Sequence, residues 1–147
     1  MSNATPSFWL GGADNSADNI DFELSVNETI EEGQIVAIFS GGANGLLRKA
    51  NVNVNRVIGI SKYDVQLGKI ANIVQKGQAN VLMETIPLQS DNGKPIYLSE
   101  ANPGKGSLSP ATSSETLRIF IGYLIGADGV TDKPLVMLDI DVLVQNG

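Results

Sequence analysis

The feature that most constrains this chain is an internal repeat. Gly33-Gln34-Ile35-Val36-Ala37-Ile38 matches Gly93-Lys94-Pro95-Ile96-Tyr97-Leu98. Each segment follows a polar turn, opens an apolar strand and leads into a glycine-rich loop, Gly41 to Gly45 in one case and Gly104 to Gly106 in the other. Downstream, Val57-Ile58-Gly59-Ile60 matches Phe120-Ile121-Gly122-Tyr123. After each central glycine come a loop and another apolar strand, Ile70 to Val74 and Val136 to Ile140. The spacing reads as a pseudo-duplicated β unit. A glycine in mid-strand marks a bulge, a bend at a barrel corner or a close backbone approach.

Strand signals run through the rest of the chain. Ile20, Phe22, Leu24 and Val26 alternate with Asp21, Glu23 and Ser25, the period-two signature of a half-buried strand. Asn44-Gly45 is a hairpin signal. Ile70 to Val74 and Asn80 to Thr85 flank Gln75-Lys76-Gly77-Gln78, which reads as a hairpin turn. Pro95 opens a strand in a position that suits an edge, where no ladder donor is needed. Leu117 to Ile125 and Leu135 to Val144 are the last strands. No stretch sustains a 3.6-residue period, and only Asn51 to Arg56 or Ser113 to Thr116 could form one helical turn. The expectation is an all-β fold, a small antiparallel barrel or sandwich. Residues 1–19 are polar and aperiodic and read as an extended N-terminal arm. Residues 20–147 read as a single β domain.

Composition narrows the chemistry. The 147 residues include no cysteine and no histidine. Disulfide frameworks, thiolate zinc sites, thiol nucleophiles and imidazole bases are excluded with them. The net charge of −6 is repelled by phosphate backbones, so nucleic acid is not an expected partner. No segment approaches the ~18 apolar residues of a membrane-spanning helix. Residues 1–19 lack the basic and apolar regions of a secretory signal, so a cytosol-like compartment is the default expectation.

The phrases Glu32-Gly33-Gln34-Ile35-Val36-Ala37-Ile38, Val57-Ile58-Gly59-Ile60, Gly93-Lys94-Pro95-Ile96-Tyr97-Leu98-Ser99 and Ile121-Gly122-Tyr123-Leu124 carry a resemblance. The stretch from Gly33 to Val144 resembles small β-structured proteins of tailed-bacteriophage virions. Among these are capsid decoration, or cement, proteins and related head-fibre and tail-fibre β domains. The resemblance implies a virion component assembled in the host cytoplasm, often trimeric, without catalytic activity or cofactor. The implied partners are the major capsid protein or other virion subunits. A fibre-type receptor- or carbohydrate-binding domain is the alternative it leaves open, using Tyr63, Tyr97 or Tyr123 against sugar faces.

Asp139 and Asp141 point to one face of a strand, as a glycosidase pair would, but also as the solvent side of any alternating strand. Asp14, Ser16 and Asp18 follow the first ligand spacings of a calcium loop, yet Asn19 stands where the turn needs glycine and Ser25 where it needs glutamate. The Gly41 to Gly45 loop lacks the Gly-Lys-Ser/Thr ending of a phosphate cradle. Lys62 and Lys69 bracket Tyr63, with Asp64 beside them, and read as a solvated strand end. Phe8-Trp9-Leu10, an apolar island in the polar arm, holds the only tryptophan. It is the candidate partner-binding segment, with folding back onto its own domain as the plain alternative. No catalytic, cofactor or metal residue is expected.

Overall fold

The computed structural model describes residues 20–40, 45–53, 56–114 and 116–145. The candidate segment Phe8-Trp9-Leu10, the Asp14, Ser16 and Asp18 spacing and most of the Gly41 to Gly45 loop lie outside the described residues. Among the described residues there are nine β-strands and one short 3-10 turn, Gln89–Asp91. The strands are β1 Ile20–Ser25, β2 Ile35–Ile38, β3 Leu47–Lys49, β4 Val57–Ser61, β5 Ile70–Asn80, β6 Pro95–Leu98, β7 Gly106–Ser107, β8 Leu117–Leu124 and β9 Leu135–Gln145. The fold is all-β, a curled antiparallel sheet with the order β3-β2-β4-β5-β9-β8-β6-β7.

That order reads the same from both ends once the repeat is applied. In unit one, β2 pairs with β3 and β4, and β4 pairs with β5. In unit two, β6 pairs with β7 and β8, and β8 pairs with β9. The register repeats residue by residue. Val36 faces Gly59 and Ala37 faces Val57, with a bulge between. Ile96 faces Gly122 and Tyr97 faces Phe120, with a bulge between. The opening turns match as well. Gly33 and Gly93 sit at φ +89° and +94°, a region other residues rarely enter. Their N–H groups donate to the carbonyls of Ser61 and Leu124, at the ends of β4 and β8.

Gly59 and Gly122 explain themselves in this geometry. A Cβ on Gly59 would fall on the carbonyl oxygen of Val74 in β5. One on Gly122 would fall on that of Met137 in β9. The mid-strand glycines therefore mark a close backbone approach next to a bulge, in both units.

Two expectations need correction. Gln75 to Gln78 is not a hairpin turn. β5 runs unbroken through it, with β1 paired along Ile70 to Lys76 and β9 along Gly77 to Asn80. The alternation breaks there because β5 carries an extra residue, Val74 and Lys76 being opposite the neighbouring Asp21 and Ile20. Nor is Pro95 on an edge strand, since β6 lies between β7 and β8. Pro95 simply precedes the stretch that β7 covers.

The long β5 shows that the repeat is larger than the sequence match. Its last residues serve unit two as β1 serves unit one. Phe22 lies opposite Ile73 as Ala79 lies opposite Val136. A parallel bridge then joins Val26 to Leu47, and a matching one joins Met83 to Gly106. Each unit is thus a ring of strand pairings closed by a single bridge. Val26, Val36, Leu47, Ala71 and Ile73 form one buried cluster inside unit one. Their counterparts Met83, Ile96 and Val136 belong to the larger cluster of unit two.

Candidate functional site

Alternating side chains send the other half of each strand outward. In unit one the outward row runs Ile35, Ile60, Val74 across β2, β4 and β5. All three are buried, and they belong to the same packed cluster as the interior of unit two. The outer face of unit one is therefore an internal interface of the chain.

The same row in unit two runs Pro95, Tyr123, Met137 across β6, β8 and β9. Here Tyr123 is 47% and Met137 41% exposed. The next row places Tyr97 opposite Phe120 and Phe120 opposite Asp141. The three rings touch edge to face. Centroids are 6.0 Å apart for Tyr97 and Phe120 and 5.1 Å apart for Phe120 and Tyr123. Such contacts stiffen the patch. Fully burying an exposed apolar side chain of this size contributes roughly 1.5–3 kcal/mol. Tyr123 and Met137 stay exposed, whereas Tyr97 is half-buried and Phe120 is buried.

The other candidate residues fall into place around this face. Asp139 and Asp141 are exposed on β9 beside it. Tyr97 and Tyr123 share it, whereas Tyr63 lies elsewhere, at 57% exposure next to Lys62. Lys62 donates to Asp21 at 2.7 Å, and that hydrogen bond holds its ammonium above the usual lysine value. A cleft of about 330 Å³ is lined by Val57 and Ile58 of β4, Lys76 of β5 and Leu138, Asp139 and Ile140 of β9, among others. No group of three or more acidic side chains converges as a metal cage among the described residues.

A partly buried polar cluster lies around Glu84, with Ser99 and Ser107 buried and Asn102 exposed. Burial pushes the Glu84 carboxyl up, but hydrogen bonds from Ser107, Ser99 and Asn102 and the charge of Lys105 hold it below its usual value. The Ser99 hydroxyl also accepts from the Asn102 N–H. These contacts brace the β6–β7 loop, whose Gly104 accepts from the Ile35 N–H and donates to the Ala50 carbonyl. The cluster fastens unit two to unit one and leaves no nucleophile free. Its signal in the sequence is only scattered Ser, Asn and Glu.

The fold and this surface describe an internally duplicated all-β chain with one covered and one open outer face. No protein-family model matches the chain, and no curated protein matches it in sequence.

Proposed function

We propose that this protein is a structural component of a phage virion, a decoration or cement protein that stabilises a capsid without catalysing a reaction. The open aromatic face of unit two carries this reading. Aromatic anchors dominate interface energies, and here exposed Tyr123 and Met137 on adjacent strands, with half-buried Tyr97 beside them and buried Phe120 bracing the rings from below, present a pre-formed contact. The resemblance of the Gly33 to Val144 stretch to virion β proteins supports the same conclusion. The major capsid protein or another virion subunit is the partner, and Phe8, Trp9 and Leu10 add a second contact on a neighbouring subunit or on the shell. A homotrimer suits a face that differs from the one it meets, because such contacts close into rings. Repeated copies on a lattice turn modest single contacts into lasting attachment.

The test uses shells lacking this chain. The full-length protein is expected to co-sediment with them, and deletion of residues 1–15 to abolish binding without unfolding the domain. Unimpaired binding by the truncated chain removes the arm from the mechanism. Failure of the full-length chain to bind overturns the reading.

A fibre-type receptor- or carbohydrate-binding domain is the second reading. Tyr97 and Tyr123 on one face, with Asp139 and Asp141 alongside, favour it, since rings stack on sugars while carboxylates accept from hydroxyls. Selective glycan-array binding that Tyr123→Ala removes would promote it over the first.

A further inference from the structure

We propose that the protein binds one neutral pyranose ring in a pocket beside Tyr63, where unit one meets the first strand of unit two. The pocket measures about 140 Å³. Ile60 and Val74, which pair across β4 and β5, give it a buried apolar floor. Glu32, Lys62, Gln78 and Asn80 form an exposed polar rim. Tyr63, at 57% exposure, completes that rim.

The repeat supplies an internal control. The Gly33 and Gly93 N–H groups donate to the carbonyls of Ser61 and Leu124, which sets the two units in register. On that register Ser61, Lys62 and Tyr63 correspond to Leu124, Ile125 and Gly126, and Glu32 corresponds to Asn92. Unit two ends its equivalent strand with two aliphatic residues and a glycine. The shared backbone plan therefore does not require the hydroxyl, the ammonium or the ring of unit one. Polar groups and an aromatic ring that converge on a pocket without a demand from the fold point to a ligand.

The pocket is held in shape before any ligand arrives. The Ser61 hydroxyl donates to the Tyr63 carbonyl at 2.8 Å. The Glu32 N–H donates to the Asp64 carboxylate at 2.8 Å and ties two sides of the rim together. The Asn80 side-chain N–H donates to the Lys133 carbonyl at 2.9 Å, which orients its amide and leaves Oδ1 to accept. Lys62 donates to Asp21 at 2.7 Å, so its charge is matched and its other N–H groups remain as donors. Such preorganisation lowers the cost of binding.

Size and chemistry select the ligand. A cavity of about 150 Å³ holds one benzene molecule, so this pocket takes a single six-membered ring. The C–H face of a pyranose suits the apolar floor and the Tyr63 ring, while its hydroxyls suit the amides and the Glu32 carboxylate. Glu32 and Lys62 carry opposite charges, so the rim exerts no net pull on an anion or a cation. The pocket is separate from the open face that holds Tyr97 and Tyr123, and it does not rest on the virion reading.

The test is an NMR titration of the isotope-labelled full-length protein with methyl glucopyranoside, methyl galactopyranoside, methyl mannopyranoside and N-acetylglucosamine. Glucuronate and glycerol serve as the charged and the acyclic control. At least one neutral ring is expected to bind with a Kd of about 1 mM, the range of so small a ligand, and to shift the amides of residues 61–63 and 78–80. Tyr63→Ala should weaken that binding by about tenfold or more, and Glu32→Gln severalfold. Both are exposed changes, and Tyr123→Ala should leave the binding as it was. Absence of binding by every neutral ring overturns the inference. So does tighter binding of glucuronate, equal binding of glycerol, or binding that Tyr63→Ala leaves intact. Shifts confined to β6, β8 and β9 that Tyr123→Ala removes would overturn it in favour of sugar binding on the open face. No shell enters the titration, so its failure is separate from failure of particle binding.

Discussion

Unit one and unit two share their strand pairings, their bulges and their opening turns, yet they treat their outer faces in opposite ways. Unit one fills the outward row with Ile35, Ile60 and Val74 and hides it against its neighbour. Unit two fills it with Pro95, Tyr123 and Met137 and leaves it open. The side chains follow the environment. Compact aliphatic residues fill a dry interface, while Tyr and Met tolerate water and adapt to a second surface. Duplication fixed the backbone plan, and position within the pair decided which copy became core and which became surface.

The largest effect is expected where the units are most alike. Gly59→Ala and Gly122→Ala each drive a methyl group into a carbonyl of the adjacent strand. Each should cost about 3 kcal/mol, the upper range for an overpacked site, as measured by chemical denaturation. Equal losses would show that both bulges carry the same constraint, and a loss at one alone would break the equivalence.

Next comes the contrast itself. Ile60→Ala removes a buried side chain and should cost about 2–4 kcal/mol. Tyr123→Ala, at the corresponding position, should cost under about 1 kcal/mol. Similar costs at both sites would mean that the outer face of unit two is not open.

The smallest effect concerns an ion pair that the opening turn makes in unit two. Asp91 accepts from the Lys94 ammonium at 2.8 Å and from the Leu88 N–H at 2.8 Å, and these bonds hold its carboxyl below the usual aspartate value. A depressed folded value means that the stabilisation is complete above the ordinary value of 3.8 and fades as pH falls through the folded one. Asp91→Asn should therefore lower the melting temperature slightly at pH 7 and converge with the parent chain in strong acid. The corresponding turn of unit one has Glu31 in this place, with Gln34 where unit two has Lys94.

Much of this plan was legible in the sequence. The strands and the repeat from Gly33 onward are written in local signals: glycine at a fixed place, apolar runs and polar turns. The first strand of unit two was not legible. Ala79, Val81 and Met83 alternate as Phe22, Leu24 and Val26 do, but the extra residue in β5 disguises Gln75 to Gln78 as a turn. The aromatic face was invisible for another reason. Tyr97, Phe120, Tyr123 and Met137 come from three strands, and only the bulged register brings them side by side. In the sequence Tyr97 and Tyr123 read as separate rings, not as one surface.

The central claim is that adhesion resides on the open face of unit two. Its most direct test is the affinity of the Tyr123→Asp chain for shells lacking this protein, with Tyr63→Asp as the control. The account predicts a loss of about 2 kcal/mol, roughly thirtyfold, for Tyr123→Asp and none for Tyr63→Asp, with both chains folded. Equal affinity for the two variants would contradict it.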